Sequence, residues 1–408
     1  MKFWKRTVSI LVVLVLNMTF VSSQTKPKPA ASGDPELARK IGRFSPTVLT
    51  ANTSRLSPND RKALMKIIEA AKLMNPLFLR QVWSGNEALH RRLESDKSAV
   101  GHQRLHYFLI NDGPWSRLDK DEPFIEGVPR EKPLGANHYP EDMTKDEFDK
   151  WVEGLSDEEK QKATGFFYVI RRGADGKLQA VPYSEAFAEF LVPAAKLLRE
   201  AAALTSNKTL KDFLTKRADA FASDDYYASD VAWMDLDAPI DVTIGPYETY
   251  EDELFSYKAA FEAYVTLRDD AESAKLAKFS QYLQELENNL PIDPRYRNPK
   301  LGAASPIRVV NEVFSSGEGN SGVQTAAFNL PNDERVVKEK GSKRVMLKNV
   351  QEAKFNKTLV PIGRGVLERV HLPIFDSFLR TFSLTSSCMA WDLTTSQLPA
   401  SKLRCASS

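Results

Sequence analysis

The chain has five histidines, His90, His102, His106, His138 and His371. His102 and His106 stand four apart, the interval at which two imidazoles on one helix face can share a zinc ion. Gln103 occupies the place where a zinc protease needs a glutamate to activate water. The pair also runs into Tyr107-Phe-Leu-Ile110, an apolar run that reads as a strand, and residues four apart on a strand are ~13 Å from each other. Both features argue against a metal role. Gly317-Glu-Gly-Asn-Ser-Gly322 has the glycine spacing of a dinucleotide loop, but the segment after it reads as a strand. Without a helix N-terminus there is no phosphate cradle, so it reads as a hairpin loop. No Gly-x-Ser-x-Gly elbow, Walker loop or Cys-x-x-Cys occurs.

Composition narrows the class. A length of 408 residues fits two or three domains, or one large bilobal one. Lys plus Arg is 56 and Asp plus Glu is 54, giving a net charge of +2. That balance argues against a nucleic-acid binder, which carries a basic excess. Hydrophobic residues are 42% and charged residues 27%, enough apolar material for a sizeable core and too much for wholesale disorder. The two cysteines, Cys388 and Cys405, cannot make a disulfide scaffold.

Lys2, Lys5 and Arg6 precede the apolar run Val8–Leu16, and Val21-Ser-Ser23 offers a cleavage site before Gln24. This describes a signal peptide over 1–23 and a secreted or secretory-lumen product with no membrane attachment after cleavage. In that context the sequons at Asn52, Asn207 and Asn356 are potential glycosylation sites. Residues 24–56 read as a flexible leader, being rich in Lys, Pro, Ala, Ser and Gly up to Ala38.

The body reads as α+β and helix-rich. Ser57 caps a helix over 61–73, and a second is expected over 76–93. Ser156-Asp-Glu-Glu159 is a capping box. Phe166–Ile170 and Leu178–Val181 flank Gly173–Gly176 as a hairpin. Helices are expected at 184–203, 208–222 and 257–288, and strands at 306–315, 322–330 and 343–347.

Three segments carry a resemblance. Asn111-Asp-Gly-Pro-Trp-Ser-Arg-Leu-Asp119 continues to Glu131-Lys-Pro-Leu-Gly-Ala-Asn137. Asp241-Val-Thr-Ile-Gly-Pro-Tyr-Glu-Thr-Tyr250 leads into Tyr257–Ala263, and Val323-Gln-Thr-Ala-Ala-Phe-Asn-Leu-Pro-Asn-Asp333 continues to Gly341–Asn349. Together they resemble the dipeptidyl-peptidase III family of zinc metallopeptidases, in its bacterial and plant-type branch, over residues 57–383. Some members of that branch carry an extra Nudix domain, and none is read here. The resemblance implies a bilobal enzyme that removes dipeptides from peptide N-termini, with a peptide-gripping β-core in one lobe and zinc in the other. It also implies substrate-binding roles. Asp241, with Glu248 behind it, would hold the substrate ammonium, while Asn329 and Asn332 would pair the peptide backbone. Without the resemblance, the two asparagines flank Pro331 as turn builders and Asp241 is a surface charge. The resemblance also implies a difference: the animal-type branch has a tyrosine, whose hydroxyl assists the reacting carbonyl, where this chain has Thr243, which cannot reach as far.

The resemblance stops before the zinc motif. The family places a helical HExxH or HExxGH after a segment like Ile374–Ser383, supplying two histidine ligands and a glutamate base. Here the chain reads Leu384-Thr-Ser-Ser-Cys-Met-Ala-Trp-Asp-Leu-Thr394, and nine of the last 25 residues are Ser or Thr. Reading the codons one base back, Leu384 onward can give His-Glu-Leu-Met-His-Gly-Leu-Gly-Pro-His, with both glycines forced by the single codons of Met389 and Trp391. The expectation is therefore an aberrant tail over 384–408, from a frameshifted or misassembled product of a family gene. Intact members use zinc, but no cofactor and no catalytic residue is expected in this chain as written. Two functional classes follow: a secreted zinc dipeptidyl-peptidase in the intact product, or a non-catalytic binder of peptide N-termini. A third is an unstable fragment exposing the apolar stretch around Val366, Leu367, Ile374 and Phe378.

Overall fold

In the computed structural model, residues 33–280, 282–297, 299 and 307–366 are described. The segment 1–23 read as a signal peptide, the apolar positions Leu367, Ile374 and Phe378, His371 and the stretch 384–408 read as an aberrant tail lie outside them.

The N-terminal part is helical. Asp34 caps α1 (Pro35–Ile41), whose Leu37 is buried; this helix falls inside the stretch read as a flexible leader. Ser57 caps α2 (Pro58–Lys72), which buries Ala63, Leu64, Ile67, Ala70 and Ala71 at helical spacing. The helix expected over 76–93 is two, α3 (Met74–Val82) and α4 (Asn86–Ser95), because the chain turns extended at Trp83. The strand expected at Tyr107–Ile110 is instead the end of helix α5 (Ala99–Asn111), capped by Ser98 and stopped by Asp112 in the left-handed region. Tyr107 and Phe108 are the buried face of that helix, and His102 and His106 lie on its exposed side.

A short ladder, β1 (Trp115–Ser116) with β2 (Glu122–Pro123), precedes α6 (Lys145–Glu153) and α7 (Asp157–Thr164). Ser156 and Glu159 form the reciprocal capping box at the start of α7. The expected hairpin is β3 (Tyr168–Arg172) with β4 (Leu178–Pro182). The single turn α8 (Tyr183–Ala186) leads into α9 (Ala188–Leu204), α10 (Lys208–Ser223) and α11 (Tyr227–Met234). Leu191, Ala194, Leu198 and Ala201 of α9 join the buried face of α2 in the main core. Truncating a fully buried leucine such as Leu198 would cost about 2–5 kcal/mol.

A five-stranded sheet forms the second half: β5 (Ile240–Glu248), β6 (Ala260–Arg268), β7 (Ile307–Gly317), β8 (Ala327–Leu330) and β9 (Lys343–Leu347), in the order β5-β6-β7-β9-β8. Only β7 and β9 pair in parallel. The helix expected over 257–288 is therefore corrected. Its first part is strand β6, and helix begins only at α12 (Asp270–Ser280), followed by α13 (Leu283–Asn288). The loop at 317–322 is no hairpin either, since β7 and β8 are separated by β9. Helices α14 (Glu334–Lys340), α15 (Lys348–Lys354) and α16 (Val360–Val366) complete the described chain. Ile240, Val242, Ile244, Phe261, Ala263 and Val265 place one face of β5 and β6 in the main core.

The sheet curls. Lys343 on β9 reaches Asp241 on β5 at 4.0 Å, and Asn332, just beyond β8, donates to the Tyr247 carbonyl at 2.8 Å. The outer edge of β5 is held by Arg217 of α10, which is fully buried and donates to the Ile244 carbonyl at 2.9 Å. Arg217 also pairs with Asp230 at 2.5 Å, among the rings of Phe213, Tyr226 and Tyr247.

Candidate peptide-binding cleft

Strand β8 offers an open edge. It pairs only with β9, in the register Ala327↔Met346, Phe328↔Val345, Asn329↔Arg344 and Leu330↔Lys343. Leu347 N–H donates to the Ala326 carbonyl at 3.1 Å. Antiparallel ladders alternate, so Phe328 and Leu330 bond to β9 while the N–H and C=O groups of Ala327 and Asn329 point away from it. Among the described residues no strand takes them up. An extended peptide can, by adding a strand.

The four residues named from the sequence fall at different places around this edge. Asn329 lies on it, with its side-chain Oδ1 enclosed and without a hydrogen-bond partner. Asn332 is exposed and tied to Tyr247. Asp241 is no surface charge: it is 2% exposed, and its Oδ2 faces the Lys343 ammonium without a hydrogen bond. Lys343 donates to the Trp233 carbonyl and lies 4.2 Å from the Trp233 ring centre. Burial pulls this ammonium down, while Asp241 raises it. Glu248 is at the other end of β5, seven positions on, roughly 20 Å along a strand. It does not stand behind Asp241. The structure joins Asp241 to the end of β8 through Lys343, the register partner of Leu330, and brings Asn332 beside Glu248 through Tyr247.

Sequence reasoning missed a group of acids next to this edge. Glu262 on β6 is 2% exposed; its Oε2 accepts from the Tyr264 hydroxyl at 3.0 Å and its Oε1 has no partner. Burial, with the Glu248 charge nearby, pushes Glu262 up to about 8. Burial also raises Glu248, and it holds Glu318 well above the carboxylate range, aided by Glu262, Glu251 and Glu248. Gly317 and Gly319 set this contact. A β-carbon on Gly317, at φ +68°, would meet the Phe261 carbonyl at 2.1 Å, and one on Gly319 would meet the Tyr264 hydroxyl at 2.0 Å. The glycines of the apparent nucleotide motif thus press Glu318 onto β6. The signal available was Glu262 itself, an acid at a strand position flanked by apolar residues.

A neighbouring acid is fully matched. Glu251 is 1% exposed and meets Arg117 and Lys132, each at 2.9 Å. Burial pushes it up, but the two cations outweigh that and take it to about 2. This triad fixes the β5–β6 loop to the segments around 117 and 132. Asp252 adds to it, accepting from the Tyr139 hydroxyl at 2.8 Å and from four backbone N–H groups of the same loop.

Zinc does not fit the described residues: no group of three or more His, Cys, Asp or Glu among them is placed to hold a metal ion. His102 and His106 do share helical spacing, contrary to the strand reading, but lack a third partner. His138 is buried against the Tyr183 hydroxyl at 3.3 Å, and burial pushes it down to about 3.

Comparison with known proteins agrees with this architecture. Residues 171–364 match the model of peptidase family M49. A solved dipeptidyl-peptidase III from Corallococcus sp. strain EGB is 56% identical, with a TM-score of 0.79, over 87% of this chain and 66% of that one. The DPP III of Caldithrix abyssi is 50% identical, with a TM-score of 0.80, over 84% and 65%. A curated relative named Nudix hydrolase 3, from Arabidopsis thaliana, is 42% identical over 86% of this chain and 52% of its own length. The chain therefore spans about half of that relative and about two thirds of the solved structures. The curled sheet, its open edge and these identities lead to one assignment: the chain belongs to the dipeptidyl-peptidase III family.

Proposed function

We propose that this chain is a secreted member of the family that binds peptide N-termini along the free edge of β8 and, as written, does not hydrolyse them. The observation that carries this is the outward pair of backbone groups at Ala327 and Asn329, which offers an extended peptide a ready-made ladder. Asn329, Asn332, Asp241 and Glu248 are the assigned substrate-binding residues, with Asp241 reached by a peptide ammonium only where Lys343 yields. Removal of dipeptides by intact family members needs zinc, and the sequence contains no HExxH motif to bind it. The same reading makes residues 1–23 a signal peptide, leaves no nucleic acid among the partners, and makes glycan acceptors of Asn52, Asn207 and Asn356. No described helix is long and apolar enough to cross a membrane. Asn52 and Asn356 are exposed, whereas Asn207 caps α10 and donates to the Asp237 carbonyl at 2.9 Å.

Titration calorimetry with short free peptides, a dipeptidyl-arylamide assay and metal analysis on the same preparation test the proposal. Binding without turnover and without stoichiometric zinc is expected. Zinc at one equivalent with turnover overturns the non-catalytic part; no binding of any peptide overturns the whole.

A further inference from the structure

We propose that His102 and His106 on α5 form a surface chelate for a divalent transition-metal ion of the copper and nickel kind, held by the two imidazoles and completed by water.

The segment that carries them is helix, so the strand spacing that argued against a shared ion does not apply. On a helix, side chains four apart stand on one face, with β-carbons about 5–6 Å from each other. Two ring nitrogens at that separation can close on one ion, at roughly 2.0–2.1 Å each. Gln103 in the place of a glutamate removes a base that would activate water, but it removes no ligand.

Both rings are free to bind. His90 stacks on Phe108 and faces Glu94 at 3.6 Å, and His138 is buried against the Tyr183 hydroxyl. His102 and His106, in contrast, are exposed, and neither ring makes a hydrogen bond or an ion pair among the described residues. The backbone beneath them is fixed. Ser98 accepts from the Gly101 N–H at 2.9 Å, and Tyr107 and Phe108 are fully buried on the opposite side. Gln103, between the two histidines, is tied to the Asp34 backbone by hydrogen bonds of 2.7 and 3.3 Å. Ligands that already stand on an ordered helix lose little freedom when an ion binds. Local charge is compatible with a cation as well. Asp96 lies against Gly101, where a β-carbon would meet its Cγ at 2.3 Å, and its carboxylate interacts with both His102 and Arg104.

The number of ligands selects the ion. No third His, Cys, Asp or Glu among the described residues is placed to join the pair. It therefore lacks the four-ligand shell of a structural zinc and does not restore a hydrolytic site. Copper(II) suits it better. That ion takes imidazole nitrogens in a tetragonal shell and stands highest in the divalent affinity series.

Copper(II) is the probe, added to the full chain in a buffer that does not bind it. Calorimetry is expected to show one strongest site, and electron paramagnetic resonance two imidazole nitrogens on the copper. His102→Gln and His106→Gln should each lower the affinity at least about tenfold, because the second ligand of a chelate acts at high effective concentration. His90→Gln should leave it unchanged. Without metal, H102Q and H106Q are expected to melt with the parent, since each replaces an exposed ring. Copper should raise the melting temperature of the parent and not of the double variant H102Q/H106Q. A single-nitrogen signal in the parent overturns the chelate, independently of any variant. So does affinity lost in only one of the two single variants, or copper held as tightly by the double variant as by the parent.

Discussion

Gly319 packs on Tyr264 so closely that a β-carbon there would fall 2.0 Å from the phenol oxygen. The ring cannot retreat, because it is 1% exposed, bonded to Glu262 and stacked on Phe328. Gly319→Ala is therefore expected to destabilise the chain by about 1–3 kcal/mol, the usual range for forcing a methyl group into a packed site. It should also weaken peptide binding, because relief requires Tyr264 to leave Phe328 on the binding strand. Urea melts and calorimetry of the variant check both; an unchanged midpoint would contradict the packing described.

Glu262 gives a pH dependence with a definite sign. Its folded-state value is raised to about 8, from 4.5. A carboxyl raised on folding contributes its full stability below about 4.5 and loses it as pH climbs through about 8. Glutamine resembles the protonated acid and does not titrate. Glu262→Gln should therefore melt close to the parent at about pH 4.5 and progressively above it toward about pH 8. Thermal melts of both proteins across that window decide it, and a gap that shrinks as pH rises would reverse the sign.

Arg217 and Asp230 form a buried pair in which each depends on the other. Arg217 is fully buried and Asp230 is 6% exposed, 2.5 Å apart. Removing one partner leaves the other charge buried and unmatched, at a cost of about 3–5 kcal/mol. Arg217→Met carries a further cost, since the Ile244 carbonyl on the β5 edge loses its donor. The double variant R217M/D230N should be less destabilised than the two single effects summed. A double-mutant cycle measures this coupling, and simple additivity would mean that the pair does not act as a unit.

Legibility in the sequence followed local chemistry. The Ser57 cap, the Ser156–Glu159 capping box and the hairpin around Gly173–Gly176 were all readable, because each is specified within a few residues. Strand β9 was readable to the residue, being short and set between a glycine and a helix. Strands β5 and β6 were not. Both are buried on both faces, so the period-two alternation that marks a half-exposed strand is absent. Ala260-Phe-Glu-Ala-Tyr-Val-Thr-Leu mixes the helix formers Ala, Glu and Leu with the strand formers Phe, Tyr, Val and Thr, and pairing with β5 and β7 makes it a strand. Losing β6 hid Glu262 as well, since its partners come from residues 248, 264 and 318. The helix ending at Asn111 was misread for a related reason: Tyr107 and Phe108 are β-formers held in a helix by burial.

The two acids on β5 make a last, separable prediction. Asp241 already faces the Lys343 ammonium at 4.0 Å and is 2% exposed, whereas Glu248 is half-buried and has no ion pair among the described residues. Neutralising Asp241 should act on the protein's own balance, because Lys343 loses the carboxylate that faces it at 4.0 Å and remains buried. Neutralising Glu248 should act on the ligand. Asp241→Asn is thus expected to lower the melting temperature with a modest loss of peptide affinity. Glu248→Gln should keep or raise the melting temperature and weaken a free-amine peptide by roughly tenfold, the equivalent of about 1.4 kcal/mol. Paired melts and calorimetry on the two variants read this directly. The reverse pattern, with affinity lost at Asp241 and stability at Glu248, would place the substrate ammonium at the Lys343 end of β5 and require Lys343 to move aside when peptide binds.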